Sequence, residues 1–148
     1  MLKRFLSIMV LLALCVACGQ NKQEELILGN WYNESMMVEL DAKSGRIDSV
    51  FNVPASQWEA ILNIKPIETN YATNGEYSSD YINLMGELLQ TSTGQWELKD
   101  DTLYLTEQGK TTAYHFSWLE GKAIFRGYLD WDNDGFKDDL YTGVQIKK

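Results

Sequence analysis

From residue 26 to the C-terminus, apolar and polar positions alternate over short segments, and no long run keeps an apolar face at helical spacing. The segments are rich in β-branched and aromatic residues and break at turn signals roughly every 8 to 12 residues, the pattern of an antiparallel all-β domain. Strands are predicted near residues 28–32, 36–40, 46–51, 67–73, 76–84, 94–98, 102–107, 111–119, 122–130 and 140–147. The junctions Lys43-Ser44-Gly45, Asn74-Gly75, Lys99-Asp100-Asp101, Gln108-Gly109-Lys110 and Glu120-Gly121 supply residues that tolerate positive φ or bond their own backbone. Links this short make sequential strands hairpin partners. Closing such a sheet removes its exposed edges, so the pattern predicts an all-β, antiparallel up-and-down β-barrel of about 8–10 strands, with a two-sheet sandwich as the alternative. One segment departs from it. Over residues 54–64, Pro54 can open a helix, and Trp58, Ile61 and Leu62 fall at i, i+3 and i+4 on one face. A single short helix is expected there, either plugging one end of the barrel or forming a lid over a cavity.

The N-terminus reads differently. Lys3 and Arg4 precede an apolar run over residues 5–17 that ends in a small residue before Cys18, the layout of a secretory signal. The run is roughly 13 residues, short of the roughly 20 needed to span a bilayer as a helix. Cys15-Val16-Ala17-Cys18-Gly19 resembles a bacterial lipobox, with Cys15 standing where Leu is usual. That resemblance implies a signal peptide over 1–17, lipid attachment at Cys18, a polar tether over 18–25, a barrel domain over 26–148, and an outer-membrane lipoprotein of the bacterial cell envelope. Removing 17 of the 148 residues leaves 131, enough to bury a sizeable core in one domain. The acylated Cys18 would be the sole cysteine remaining, so no disulfide is available. Without Lys3 and Arg4 the 13 basic residues fall to 11 against 21 acidic ones, moving the formal charge from −8 to −10. Such a balance argues against nucleic acid or anionic headgroups as partners and favours cations.

Leu28-Gly29-Asn30-Trp31 opens the first strand with a Gly-x-Trp, and two later stretches follow in order. They are Asn74-Gly75-Glu76-Tyr77 and the run Thr93-Gly94-Gln95-Trp96-Glu97-Leu98 through Leu103-Tyr104-Leu105. Together they resemble bacterial lipocalin-like lipoproteins. The resemblance implies a calyx in which Gly29 makes room at the barrel base, Trp31 closes it and Arg126 is set against Trp31. It also implies an interior that holds a small hydrophobic ligand. Tyr114, Phe116 and Trp118 share one strand face and either line that interior or simply fill it as core.

The sharpest local chemistry is the stretch from Asp130 to Asp139, with five carboxylates in ten residues and one Lys. Asp130, Asp132 and Asp134 recur at spacing 2 and Gly135 follows, so a tight loop can turn three carboxylates on one centre. Phe136 would add its carbonyl, and Asp138 and Asp139 further carboxylates. An all-oxygen set suits calcium, which takes six to eight oxygens, while the lack of His and Cys argues against zinc or copper. The EF-hand pattern fails at its twelfth position, Tyr141, and both flanks read as strands. Asp-x-Asp-x-Asp-Gly-x-x-Asp instead resembles the calcium loops of thrombospondin type 3 and integrin-type propeller repeats. The competing reading is a solvated acidic hairpin loop.

Catalysis finds no support in the chain. His115 is the single histidine and lies mid-strand, and neither a Gly-x-Ser-x-Gly nor a phosphate-cradling loop is present. A non-enzymatic protein is expected. Two roles remain: a membrane-anchored binding module for a small apolar molecule, or an interaction or inhibitor protein with a filled barrel that engages another envelope protein. Cavity volume separates them.

Overall fold

The structure, a computed structural model, describes residues 24–148. The signal segment, Cys18 and most of the tether expected over 18–25 lie outside the described residues.

Nine strands form one antiparallel sheet that closes on itself: β1 (Gly29–Glu39), β2 (Val50–Val53), β3 (Glu68–Tyr71), β4 (Glu76–Ile82), β5 (Leu88–Lys99), β6 (Thr102–Glu107), β7 (Lys110–Leu119), β8 (Lys122–Leu129) and β9 (Asp139–Lys147). β1 closes the barrel. One of its edges pairs with β9 from Trp31↔Lys147 to Glu39↔Leu140. Its other edge pairs with β3 over Gly29–Tyr32 and with β2 over Met36–Glu39, so β2 and β3 share one stave of an eight-staved wall. From β3 to β9 every strand pairs with its neighbour in sequence. The fold is therefore the up-and-down barrel that the alternation predicts.

Several boundaries differ from the sequence reading, each for a local reason. The segments expected at 28–32 and 36–40 are one strand, because a β-bulge between Asn33 and Ser35 carries β1 through its polar middle instead of ending it. The strand expected over 46–51 starts at Val50, since a 3₁₀ turn at Ala42–Ser44 and exposed residues to Ser49 occupy its first half. β5 begins six residues before the expected Gly94. Its Leu88–Thr93 half shows no apolar alternation, yet it pairs with β4 across Ile82↔Leu88 to Ser78↔Thr93.

Inside, two apolar clusters stack along the barrel axis. The base cluster gathers Ile27, Trp31, Leu98, Leu103, Phe116 and Phe125, among others, and a helical turn at residues 24–27 brings Ile27 into it. Trp31 is 1% exposed and its Nε1 donates to the Ile27 carbonyl at 2.6 Å, which locks the entering chain under the barrel. Gly29 permits that entry with φ of 105°. The second cluster, Met36, Val38, Val53 and Trp58, fills the opposite end. Its Trp58 comes from α1 (Trp58–Leu62), shorter than the segment 54–64, and the indole Nε1 donates to the Lys65 carbonyl at 3.2 Å. The helix is thus a plug.

The resemblance placed Arg126 against Trp31, and here the structure corrects it. Ala123, Phe125 and Gly127 are the buried positions of β8, so strict alternation turns Arg126 outward, across from the exposed His115. The cation over the Trp31 ring is Lys147, with Nζ 5.3 Å from its centroid.

Candidate functional site

Between the two clusters the barrel has a polar waist. A cavity of about 170 Å³ opens there, bounded on the plug side by Ile67 and Tyr141 and on the base side by Tyr71, Leu105, Tyr114 and Phe125. The bulge in β1 delivers Asn33 to this level, and β9 delivers Gln145 directly opposite it in register. Gln145 Nε2 donates to Asn33 Oδ1 at 2.9 Å, with both residues buried. Thr69 Oγ1 and Ser79 Oγ share a second hydrogen bond at 2.9 Å. One acceptor is left over: Gln145 Oε1 is buried with no partner among the described residues. Buried polar atoms are normally paired, so this oxygen is an exception at the waist.

Tyrosines dominate the wall. Burial pushes the Tyr114 hydroxyl up to about 12, and it holds Tyr71 and Tyr141 still further above the ordinary range. Burial also raises Tyr81, with the Glu107 carboxylate adding to the effect. The cavity lining contains no Lys, Arg, His, Asp or Glu, so the site offers neutral hydrogen-bonding groups and aromatic faces.

Of the three aromatic residues predicted to line the interior, Tyr114 does so. Phe116 lies below the cavity, packed on Phe125 at 5.6 Å between ring centroids. Trp118 sits at the base, edge-on to Trp31 at 5.5 Å and 37% exposed. All three do face inward, but a strand crosses several levels of the barrel and they occupy different ones. Asn33 and Gln145 escape the sequence reading because they are 112 residues apart and meet only where β1 pairs with β9.

The acidic loop lies between β8 and β9 at the plugged end. Asp130, Asp132 and Asp134 converge, with one carboxylate oxygen from each lying within 4.8 Å of the others. A second set shares Asp134 and joins it to Asp138 and Asp41 within the same limit. Asp41 belongs to the β1–β2 connection and carries no loop signal of its own. It is held in the left-handed region at φ 57°, and the neighbouring Lys43 amide donates to the Asp138 carbonyl at 3.1 Å. Partial desolvation, then Asp48 and Asp138, raises the Asp41 carboxyl; partial desolvation, then Asp134 and Asp139, raises Asp138. Asp130 Oδ1 is buried and without a partner among the described residues.

One of the six loop residues named from sequence plays another part. Asp139 is 1% exposed, and its oxygens accept from the backbone amides of Asp41 at 3.1 Å, Trp131 at 2.7 Å and Asp132 at 3.3 Å. It is the anchor under the loop and lies in neither converging set. Phe136 is 67% exposed, and its amide donates to Asp134 Oδ1 at 2.8 Å.

A closed, small antiparallel barrel with an internal cavity is the class that fold and site define. No family model matches the chain, and no curated protein matches it. Among solved structures it is similar to the crystal structure of a lipocalin-like protein from Bacteroides uniformis ATCC 8492. The two share 11% identity over 83% of this chain and 99% of that one, with a TM-score of 0.49.

Proposed function

We propose that this protein is a non-enzymatic, lipid-anchored binding module of the bacterial envelope whose barrel holds a small, largely apolar ligand. The observation that carries the reading is the hollow at the waist: a core that served only stability would be packed through, as the clusters on either side of it are. Anchoring rests on the lipobox-like stretch ending at Cys18 and would place the molecule on the outer membrane. Native mass spectrometry of the purified chain tests the binding role through a retained small-molecule adduct. Labelling with a radioactive fatty acid tests the anchor, with Cys18→Ser abolishing incorporation.

Calcium is the companion reading, and two features support it. Asp41 adds a carboxylate from a separate connection, and Asp130 Oδ1 is an orphaned acceptor in the cluster. Bound there, the ion would tie the end of β1 to the last hairpin and offset the repulsion that, after desolvation, raises Asp41 and Asp138. With an affinity typical of extracellular modules, about 1 mM calcium stabilises the fold by roughly 0.4–1.4 kcal/mol. Thermal melts with calcium and with EGTA should differ by a few degrees, and Asp132→Ala or Asp41→Ala should erase the difference. Coincident wild-type melts would dispose of the site.

The alternative, an interaction or inhibitor protein, draws on the β4–β5 hairpin, where Leu84, Met85, Leu88 and Leu89 are 44–81% exposed. A cavity that admits no ligand would shift the balance to it.

A further inference from the structure

We infer that the barrel recognises a small organic cation: its ammonium group sits against the Glu107 carboxylate, and its apolar body lies along Tyr114 toward the waist. The inference rests on the binding role proposed above and adds the charge of the ligand to it.

The plug leaves part of its end of the barrel uncovered. The second cluster is built by β1, β2, α1 and the neighbouring Leu40, Ile67 and Tyr141, with no residue from β5, β6 or β7 among those described. On that side an open hollow of about 440 Å³ lies between Tyr77, Leu105, Glu107, Thr112 and Tyr114. Leu105 and Tyr114 also line the waist cavity, so the two spaces adjoin. Alternation explains how an acid comes to stand in such a wall. Leu103 and Leu105 are core-facing residues of β6, and Glu107 is the next position on the same face. Thr112 and Tyr114 share the inward face of β7 with the buried Phe116.

Glu107 is half-buried and held in place. Its Oε1 accepts from the Ser92 hydroxyl at 2.7 Å, and Tyr77 hydrogen-bonds the same serine. Ser92 is itself buried on β5, so the neighbouring strand fixes the carboxylate. Its field reaches inward: the Tyr77 and Tyr81 hydroxyls are raised first by burial and then by this carboxylate. Among the described residues no cation lies within ion-pair distance of Glu107. Lys110, opposite it across the β6–β7 turn, is exposed at the rim of the hollow and forms no ion pair with it.

A carboxylate partly withdrawn from water without a counter-ion gains most from a ligand that brings one. An ammonium group supplies both charge and N–H donors, and tyrosine faces in the wall attract it further. Calcium is a poor match, because one carboxylate and a few hydroxyls fall short of the roughly six to eight oxygens it takes. Glu107 also belongs to neither converging set of acids. An anion meets Glu107 itself and a chain of formal net charge −8.

2-Phenylethylamine, 2-phenylethanol and 3-phenylpropionate test this on the full wild-type chain, because each carries a ring on a short chain and they differ in the charge at its end. Titration calorimetry in about 0.3 M sodium chloride, where exposed charges are largely screened, reads the affinities. Shifts of the Tyr77 and Tyr114 ring signals in NMR locate the binding. The amine should bind about tenfold or more tightly than the alcohol, with the propionate weakest. Glu107→Gln should bring the amine down to the affinity of the alcohol, and near-ultraviolet circular dichroism checks that the variant retains its aromatic packing. If the variant does not fold, the wild-type ranking decides. Equal binding of amine and alcohol, or an amine preference that survives Glu107→Gln, would overturn the assignment and leave the binding role intact. Preference for the propionate would move recognition to Lys110 and overturn it as well. No probe bound, but an adduct retained in native mass spectrometry, would overturn the ligand class alone. No probe bound and no adduct would overturn both.

Discussion

Asp139 shows how one side chain can be misjudged by its neighbours. In sequence it is the last of five carboxylates in an acidic run, and that company suggests a metal ligand. In the structure its oxygens are taken by three backbone amides from two separate connections, which makes it a buried anion held by peptide dipoles. Replacing it with Asn keeps the shape but turns an NH₂ toward donors. Asp139→Asn should cost about 1.5–3 kcal/mol in urea unfolding, the usual worth of hydrogen bonds to a charged group. A change below about 0.5 kcal/mol would refute the anchor role. Arg126 teaches a related lesson. Alternation groups it with Ile124 and Tyr128 but is silent on whether that group faces in, and only the burial of Ala123, Phe125 and Gly127 decides. Lys147, which covers Trp31 instead, becomes its neighbour through a pairing that spans most of the chain.

Elements were legible where apolar alternation was clean and turns were short. The residues of β6 (Thr102–Glu107) coincide with the expected strand, because Asp100 on one side and Gln108-Gly109 on the other bracket it with left-handed turn residues. β5 was legible only in its second half. Its first half has both faces exposed apart from Ser92, so no buried stripe prints a period on it, and pairing with β4 alone makes it a strand. Gly94 stands where the two halves meet, and a Cβ there would run into the Thr106 carbonyl and the Tyr77 ring. The glycine lets β5 pass tightly over β6 while Tyr77 fills the space inside. Gly94→Ala should therefore destabilise the fold by about 1–3 kcal/mol through overpacking, measured by thermal or urea unfolding. Gly109→Ala is the control for glycine loss without crowding, since nothing lies within 4 Å of a Cβ there, although its φ of 77° adds backbone strain.

For the whole molecule, tyrosines form a wall around the waist between the two apolar clusters. Five of the eight tyrosines, Tyr71, Tyr77, Tyr81, Tyr114 and Tyr141, have hydroxyls raised above the ordinary range, first of all by burial. Because their folded values exceed the unfolded value of about 10, the folded state keeps more protons above that pH than the unfolded state does. The stability they contribute is complete below about pH 10 and is lost as pH climbs through and beyond it. Alkaline titration followed by tyrosinate absorbance should show these five ionising together with loss of near-ultraviolet circular dichroism. Smooth, independent ionisation with the fold intact would contradict the buried assembly.

What the chain determines by itself is what short-range physics can write: strands from alternation, turns from residues that accept positive φ, a closed barrel from many short hairpins, and an acidic loop from carboxylates at spacing 2. What only the tertiary structure decides depends on barrel closure, which sets residues far apart in sequence side by side. That closure chooses the inward face of each strand, splits the core into two clusters, and brings Asn33 against Gln145 at the waist. The β1–β2 connection likewise carries Asp41 to the loop. Local patterns cannot anticipate such meetings, because period-2 alternation carries no information about register between strands that are distant in sequence.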